Sequence, residues 1–258
     1  MLLAIDIGNT NITIGGIKDD EIVFEARIAT DRIKTSDQYG ADIKNMLNLF
    51  DVKVEDIKDC IIASVVPPVF NAVRTGAVKA IGKQPMVVGP GIKTGLNIQV
   101  DNPSQVGSDR IVIAVAALAE YKPPLALMDL GTATTIEVVD ENCTYIGGCI
   151  LPGVRVSLDA LTSRTSQLPG INLDQPKKVI GKNTVDCMRS GIMHGTAAML
   201  EGLVERMEEE LGYKTTVIAT GGIAQFIVPL CKRDIKLERD LLLKGLNIIY
   251  KKNVEKHR

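Results

Sequence analysis

The sequence predicts an α/β protein built as two halves on one supersecondary plan, with mixed sheets and flanking helices. Three observations carry this. Short β-branched runs alternate with stretches of helical periodicity along all 258 residues. The composition, 45% hydrophobic and 24% charged, is that of a folded globular chain. Finally, one phrase occurs twice, at Leu2–Thr13 and again at Leu125–Ile136: an apolar strand, an Asp, an apolar residue, a Gly, a small polar turn, and a second β-like stretch. The two aspartates, Asp6 and Asp129, stand 123 residues apart, close to half the chain. Such self-similarity points to a duplicated architecture, with halves expected at 1–117 and 118–258.

In chain order, strands are expected at Leu2–Ile5, Asn11–Ile17, Glu21–Ile28, Cys60–Val65, Met86–Val88, Leu125–Asp129, Thr134–Val139, Tyr145–Ile150 and Thr216–Ala219. Ser36–Phe50 sets Tyr39, Ile43, Met46, Leu47 and Phe50 on one helical face. Ser108–Tyr121 is almost wholly apolar after its first turn and predicts a buried helix. Val185–Leu211 is a long, Gly-interrupted helix ending in the charged run Glu205–Glu210. Arg239–Lys252 is amphipathic, and the basic tail after Tyr250 reads as a solvated helix end. With 3% aromatics and no Trp, the core must be filled by Ile, Val, Leu and Ala.

Several function classes are disfavoured. Thirty Lys and Arg against 31 Asp and Glu leave a net charge of −1, with no basic excess for non-specific nucleic-acid binding. The scarcity of aromatics argues against stacking platforms for single strands. The longest apolar run, Ile111–Ala119, is far short of the roughly 20 residues a membrane helix needs. Five scattered cysteines without a Cys-x-x-Cys pair, and two distant histidines (His194 and His257), fit neither a disulfide framework nor a zinc site. No basic leader or cleavage signal precedes Asp6. A cytoplasmic, unprocessed protein is expected.

The repeated turns carry the chemistry. In the first, Gly8 permits a tight turn, and its bare backbone lets N–H groups approach a phosphate, with Asn9 and Thr10 adding donors. Asp6, an anion beside such a site, makes sense with a Mg²⁺ ion or its water shell between them. Taken alone, this unit reads first as a hairpin whose Asn and Thr stabilise the turn. The second unit changes the balance: Asp129-Leu130-Gly131-Thr132-Ala133-Thr134-Thr135 brings another carboxylate, another Gly and three hydroxyls, and two such loops suit a polyphosphate. Neither is a Walker loop, since Gly-x-x-x-x-Gly-Lys-[Ser/Thr] is absent. A third turn, Thr220-Gly221-Gly222, suits close approach to a base or ribose, or equally a plain structural turn.

The turns resemble those of the acetate and sugar kinase/Hsp70/actin superfamily, and the whole chain resembles type III pantothenate kinases. The matching phrases, in order, are Asp6-Ile7-Gly8-Asn9-Thr10, Ser64-Val65-Val66-Pro67, Asp101-Asn102-Pro103, Gly107-Ser108-Asp109-Arg110, Asp129-Leu130-Gly131-Thr132-Ala133, Gly147-Gly148, Pro152-Gly153, Leu168-Pro169, Gly181-Lys182-Asn183-Thr184 and Thr220-Gly221-Gly222. The resemblance implies duplicated ribonuclease H-like, actin-like ATPase halves with a cleft between them. It also implies ATP-dependent phosphorylation of pantothenate, the first step toward coenzyme A. On that resemblance Asp6, Ile7, Gly8, Asn9, Thr10, Asn11, Ile12 and Thr13 hold the ATP phosphates, with Asp6 near Mg²⁺. Thr132 meets phosphate from the other side, Gly221 and Gly222 face the adenosine, and Asp129 helps to hold K⁺ or NH₄⁺. Val100, Gly107, Ser108, Asp109 and Arg110 bind pantothenate with Asp109 as general base, and Thr184 reaches it from the partner in a homodimer.

Read from its residues alone, Gly107-Ser108-Asp109-Arg110 has a plainer meaning: Ser108 caps the helix and Asp109 suits its dipole. Both roles can coexist, because a helix N-terminus displays polar groups to a ligand. The chain departs from the family where it has Val100 in place of the usual Tyr, and at Cys149 and Leu151, where small residues are usual. A non-catalytic kinase-like regulator or binding protein, or another small-molecule phosphotransferase on the same fold, stands as the alternative reading.

Overall fold

A computed structural model of the chain describes residues 1–254; residues 255–258 of the basic tail, His257 among them, lie outside the described residues. The elements run β1 (Leu2–Ile7), β2 (Asn11–Lys18), β3 (Glu21–Ala29), α1 (Ser36–Leu49), β4 (Asp59–Ser64), α2 (Pro67–Ile81), β5 (Met86–Val87), β6 (Asn97–Ile98), α3 (Ser108–Glu120), β7 (Leu125–Leu130), β8 (Ala133–Val139), β9 (Thr144–Pro152), α4 (Val154–Ser163), α5 (Thr184–Leu211), β10 (Thr216–Thr220), α6 (Ala224–Ile227), β11 (Lys236–Leu237) and α7 (Leu241–Val254). Every expected strand and long helix is present, with ends moved by a residue or two. Periodicity did not reveal α2, α4, β6 or β11. Helix α2 opens on Pro67-Pro68, which suits a first helical turn but carries no side-chain cap.

The duplication is visible in the topology. One sheet is ordered β3-β2-β1-β4-β5 and the other β11-β10-β7-β8-β9-β6. Read from β9, the second repeats the first: two antiparallel pairs, then two parallel ones, with β6 added at an edge. Contacts divide the chain into two compact units. The first comprises Met1–Leu96, Asp101–Ala119 and the chain from Asp240 on; the second comprises Asn97–Val100 and Glu120–Arg239. The division therefore differs from a cut at 117/118 in one main respect: α7 belongs with the first unit.

In the first unit β1 is the central strand and is buried throughout. Its alternate residues serve two cores, as a period of two dictates. Leu3, Ile5 and Ile7 pack with Tyr39, Ile43 and Leu47 of α1 and Val69, Val73 and Ala77 of α2. Leu2 and Ala4 pack with Val112 and Val115 of α3 and Leu243, Leu246 and Ile249 of α7. Phe50, expected on the buried face of α1, instead sits just past its end, stacked on Phe24 with ring centroids 4.9 Å apart. In the second unit Ala126, Met128 and Leu130 of β7 pack with Met193, Ala197, Leu200 and Val204 of α5.

One residue of the charged run ending α5 is buried. The Glu208 carboxylate accepts from Lys214 Nζ at 2.8 Å, from Thr215 N at 2.8 Å and from Arg233 Nη1 at 3.0 Å, with Arg233 Nη2 completing a bidentate pair. Burial alone pushes this carboxyl up, but the bonds from Arg233, Lys214 and Thr215 outweigh it and bring it down to about 2. Lys214 is 80% exposed and contributes little; Arg233 is the partner that counts. A carboxylate held ionised in the fold stabilises it fully above the ordinary carboxylate pKa of about 4.3, and this contribution fades as pH falls toward 2. Glu208→Gln is therefore expected to cost about 3 kcal/mol near neutral pH. The gap from wild type should close as acid is added, as denaturant unfolding across the acid range will measure.

Candidate active site

The first repeated turn stands at the end of a strand covered on both faces. Asp6 lies on the Leu2 and Ala4 side of β1 and is only 6% exposed. A carboxylate covered that far is costly unless compensated, which marks it as more than core filling. After Ile7 the chain reverses: Gly8 N–H donates to Asn11 O at 3.0 Å, leaving Asn9 and Thr10 exposed at the tip. Ile12 then pairs back with Ile7 and Thr13 with Asp6. Behind the tip, Thr30 N–H donates to Thr10 O at 2.9 Å and the Thr30 hydroxyl donates to Gly8 O at 2.6 Å.

The motif 107–110 reaches the same end of the same sheet. Ser64, the last residue of β4, is paired with Ile7, and Val65 N–H donates to Ile7 O at 3.1 Å. The Ser108 hydroxyl accepts from Ser64 N at 3.2 Å and donates to Ser64 O at 3.0 Å. The capping role expected of Ser108 is thus not the one seen: its hydroxyl is spent on the strand end, and the helix starts with Ile111 N–H on Gly107 O at 3.3 Å. Asp109 Oδ1 accepts from Arg110 N at 2.7 Å. A Cβ on Gly107 would stand 2.5 Å from Asp109 Oδ1, so the absent side chain is what lets this carboxylate turn back over the loop. Asp109 and Arg110 are both partly exposed. A carboxylate and a guanidinium displayed at a helix start, beside a turn rich in donors, can orient a hydroxyl and hold anionic or carbonyl oxygens.

In the second unit the corresponding turn is one residue tighter. Three residues separate the pair Leu130–Thr134, against four between Ile7 and Ile12, and Gly131 N–H donates to Ala133 O at 3.1 Å. Gly153, opening α4, donates its N–H to Thr132 O at 3.1 Å. Any side chain there would collide with that carbonyl. Gly221, at φ +96°, lies so close that a Cβ would stand 2.5 Å from Asp129 Oδ1 and 2.7 Å from Leu130 N. Asp129, Gly131, Thr132, Gly221 and Gly222 therefore meet at one sheet end, with Thr132 and Gly222 exposed.

Two expected residues lie elsewhere in this unit. Val100 follows the edge strand β6, whose neighbour Gln99 N–H donates to Tyr145 O at 2.9 Å; its Cγ1 is 3.9 Å from where a Cβ of Gly147 would be. Thr184 is exposed on the first turn of α5, which Asn183 caps through Asp186 N at 2.9 Å. Among the described residues, no group of three or more His, Cys, Asp or Glu side chains could hold a metal. The Asp6 carboxylate still suits Mg²⁺, which binds through one or two carboxylates while keeping waters and substrate phosphates. The oxygen of Asp129 beside polar backbone turns is the donor type an alkali cation takes. Ser64, Thr30 and Gly153 support these turns without having been site candidates. Ser64 and Gly153 fall inside matched phrases, but nothing in the sequence singles out Thr30.

Known proteins place this arrangement. The sequence profile of the family described as type III pantothenate kinase matches residues 2–206. A type III pantothenate kinase from Exiguobacterium sp. is 46% identical over 253 residues, covering 98% of this chain and 99% of its own. Among solved structures, a Campylobacter jejuni protein described as a Baf family transcriptional activator superposes with a TM-score of 0.62 at 18% identity, covering 98% and 99% of the two chains. Component A of the (R)-2-hydroxyglutaryl-CoA dehydratase of Acidaminococcus fermentans superposes with a TM-score of 0.56 at 17% identity, covering 96% of each. Identities this low show the fold alone, a two-sheet α/β plan. With sequence identity carried across nearly the whole length, the chain belongs to the type III pantothenate kinase family.

Proposed function

We propose that the chain transfers the terminal phosphoryl group of ATP to the primary hydroxyl of pantothenate, giving 4′-phosphopantothenate, with Asp6–Thr13 holding the phosphates and Gly107–Arg110 holding the acceptor. One observation carries the reading. The Ser108 hydroxyl grips both backbone groups of Ser64, so the 107–110 motif and the Asp6 turn share one end of one sheet. Carboxyl ends of strands are where open α/β sheets take ligands.

Asp109 acts as general base toward the acceptor hydroxyl. Phosphoryl transfer is largely dissociative and needs little proton removal early, so holding the hydroxyl in line is the larger part of its work. Arg110 pairs with oxygens of the acceptor. Exposed Asn9 and Thr10, with the backbone N–H groups of the turn, bind phosphate oxygens. Asp6 is the residue to hold Mg²⁺, which neutralises phosphate charge when bound. In the second unit Thr132 adds a phosphate contact, Gly221 and Gly222 leave room for adenosine, and Asp129 holds a monovalent cation, K⁺ or NH₄⁺. Val100 lines the acceptor pocket, and Thr184 completes it from the partner of a homodimer. Free thiols at Cys60, Cys143, Cys149, Cys187 and Cys231 fit a cytoplasmic setting.

The direct test is incubation with ATP, Mg²⁺, K⁺ and pantothenate; appearance of 4′-phosphopantothenate supports the reading and its absence with an intact fold removes it. Asp109→Asn should lower turnover by about 10² to 10⁴ with unchanged thermal stability; full activity in this variant excludes Asp109 as the base. Replacing K⁺ by Na⁺ should depress the wild-type rate, and Asp129→Asn should abolish that discrimination. Equal wild-type rates in the two salts contradict a selective site at Asp129.

A further inference from the structure

We propose that Thr30 is a positioning residue for the nucleotide: its hydroxyl fixes the peptide planes of the Gly8–Thr10 turn in the orientation that presents their N–H groups to phosphate. The inference rests on the reading of that turn as the phosphate site.

The geometry is specific. Thr30 holds the turn twice, through its N–H on Thr10 O at 2.9 Å and through its Oγ1–H on Gly8 O at 2.6 Å. Gly8 is the residue of the turn with the freest backbone. The peptide unit is planar and trans, so fixing the Gly8 carbonyl also fixes the N–H of Asn9, which points the opposite way. A hydroxyl-to-carbonyl bond at that length is at the short end of the normal range. It makes the Gly8–Asn9 peptide rigid before ligand arrives, and such preorganisation lowers the cost of binding.

The brace is itself rooted in the core. Asp31, next along the chain, donates its N–H to Tyr39 Oη at 3.0 Å, and the Tyr39 hydroxyl donates to Asp31 O at 2.6 Å. Tyr39 is fully buried in the cluster beneath β1. Thus the turn is tied through two residues to an immobile ring.

The duplicated fold supplies an internal comparison. Gly153 follows β9 as Thr30 follows β3, and its N–H likewise holds the turn, on Thr132 O at 3.1 Å. Gly153 has no hydroxyl, and the second turn forms without one. The backbone half of the brace is therefore common to both repeats, while the side-chain half is particular to the first turn. Closing the hairpin does not require it.

Steady-state kinetics with each substrate varied tests this. Thr30→Val keeps the shape and removes the hydroxyl; it should raise KM for ATP about fivefold, the worth of one hydrogen bond. KM for pantothenate and the melting temperature should stay near wild type, and Thr30→Ser should restore KM for ATP to within about twofold. Unchanged KM for ATP in Thr30→Val overturns the proposal, as does an equal loss toward both substrates that Ser does not repair. Should Thr30→Val fail to fold, Tyr39→Phe releases Asp31 while keeping the ring, and must raise KM for ATP in the same selective way for the proposal to stand. Asn9→Ala separates the two levels of the argument. If it raises KM for ATP while Thr30→Val does not, only the brace is wrong; if neither changes it, the phosphate site itself lies elsewhere.

Discussion

A central strand covered on both faces must find protein partners for its buried peptide groups, and β1 and β7 each find one by reversing within a few residues and bonding to themselves. That constraint shapes both candidate turns. β1 is buried along its whole length and ends in the Gly8 N–H bond to Asn11 O; β7 ends in the Gly131 N–H bond to Ala133 O. Each reversal takes place at a glycine, two positions beyond an aspartate that still belongs to the strand. The strand therefore fixes the carboxylate, and the turn exposes polar backbone beside it. Acidic oxygen and bare amide groups at one sheet end follow from the burial of a strand more than from any feature of a loop.

The two repeats share strand order and bracing plan, yet they have diverged in detail. The second turn is a residue shorter, is backed by a glycine in place of a threonine, and lies against Gly221, which a side chain would drive into Asp129. The first is longer, is held by a hydroxyl, and shares its sheet end with a serine that reaches across from α3. The shorter turn is packed by backbone, the longer one by side-chain bonds. A duplicated scaffold has come to carry two differently built ends.

Much of this was legible in the sequence. The strands declared themselves because buried β-branched runs have few other readings, and the repeated Asp-x-Gly phrase disclosed the duplication. Helices α2 and α4 were hidden because neither has a side-chain cap at its start. Residue roles were harder. Ser108 looks like a cap in any linear reading, and only the proximity of Ser64, 44 positions earlier, diverts its hydroxyl. Glu208 looks solvated within its acidic run until Arg233 is brought to it across the unit. Thr30 carries no local signal, since its partners are backbone carbonyls whose location depends on how β2 and β3 pair. Sequence patterns announce what periodicity and turn chemistry impose. They are silent where a side chain answers to a distant main-chain group.

The place of α7 has a consequence for how the chain is made. Leu243, Leu246 and Ile249 cover the same face of β1 that Leu2 and Ala4 present, although nearly the whole sequence lies between them. A ribosome releases β1 well before α7. Until α7 has emerged, the sheet of β1 has one apolar side missing part of its cover, while the second unit, continuous from Glu120 to Arg239, has almost all of its own residues in hand. The second unit can therefore complete its own core before the first, whose sheet waits for α7 to emerge.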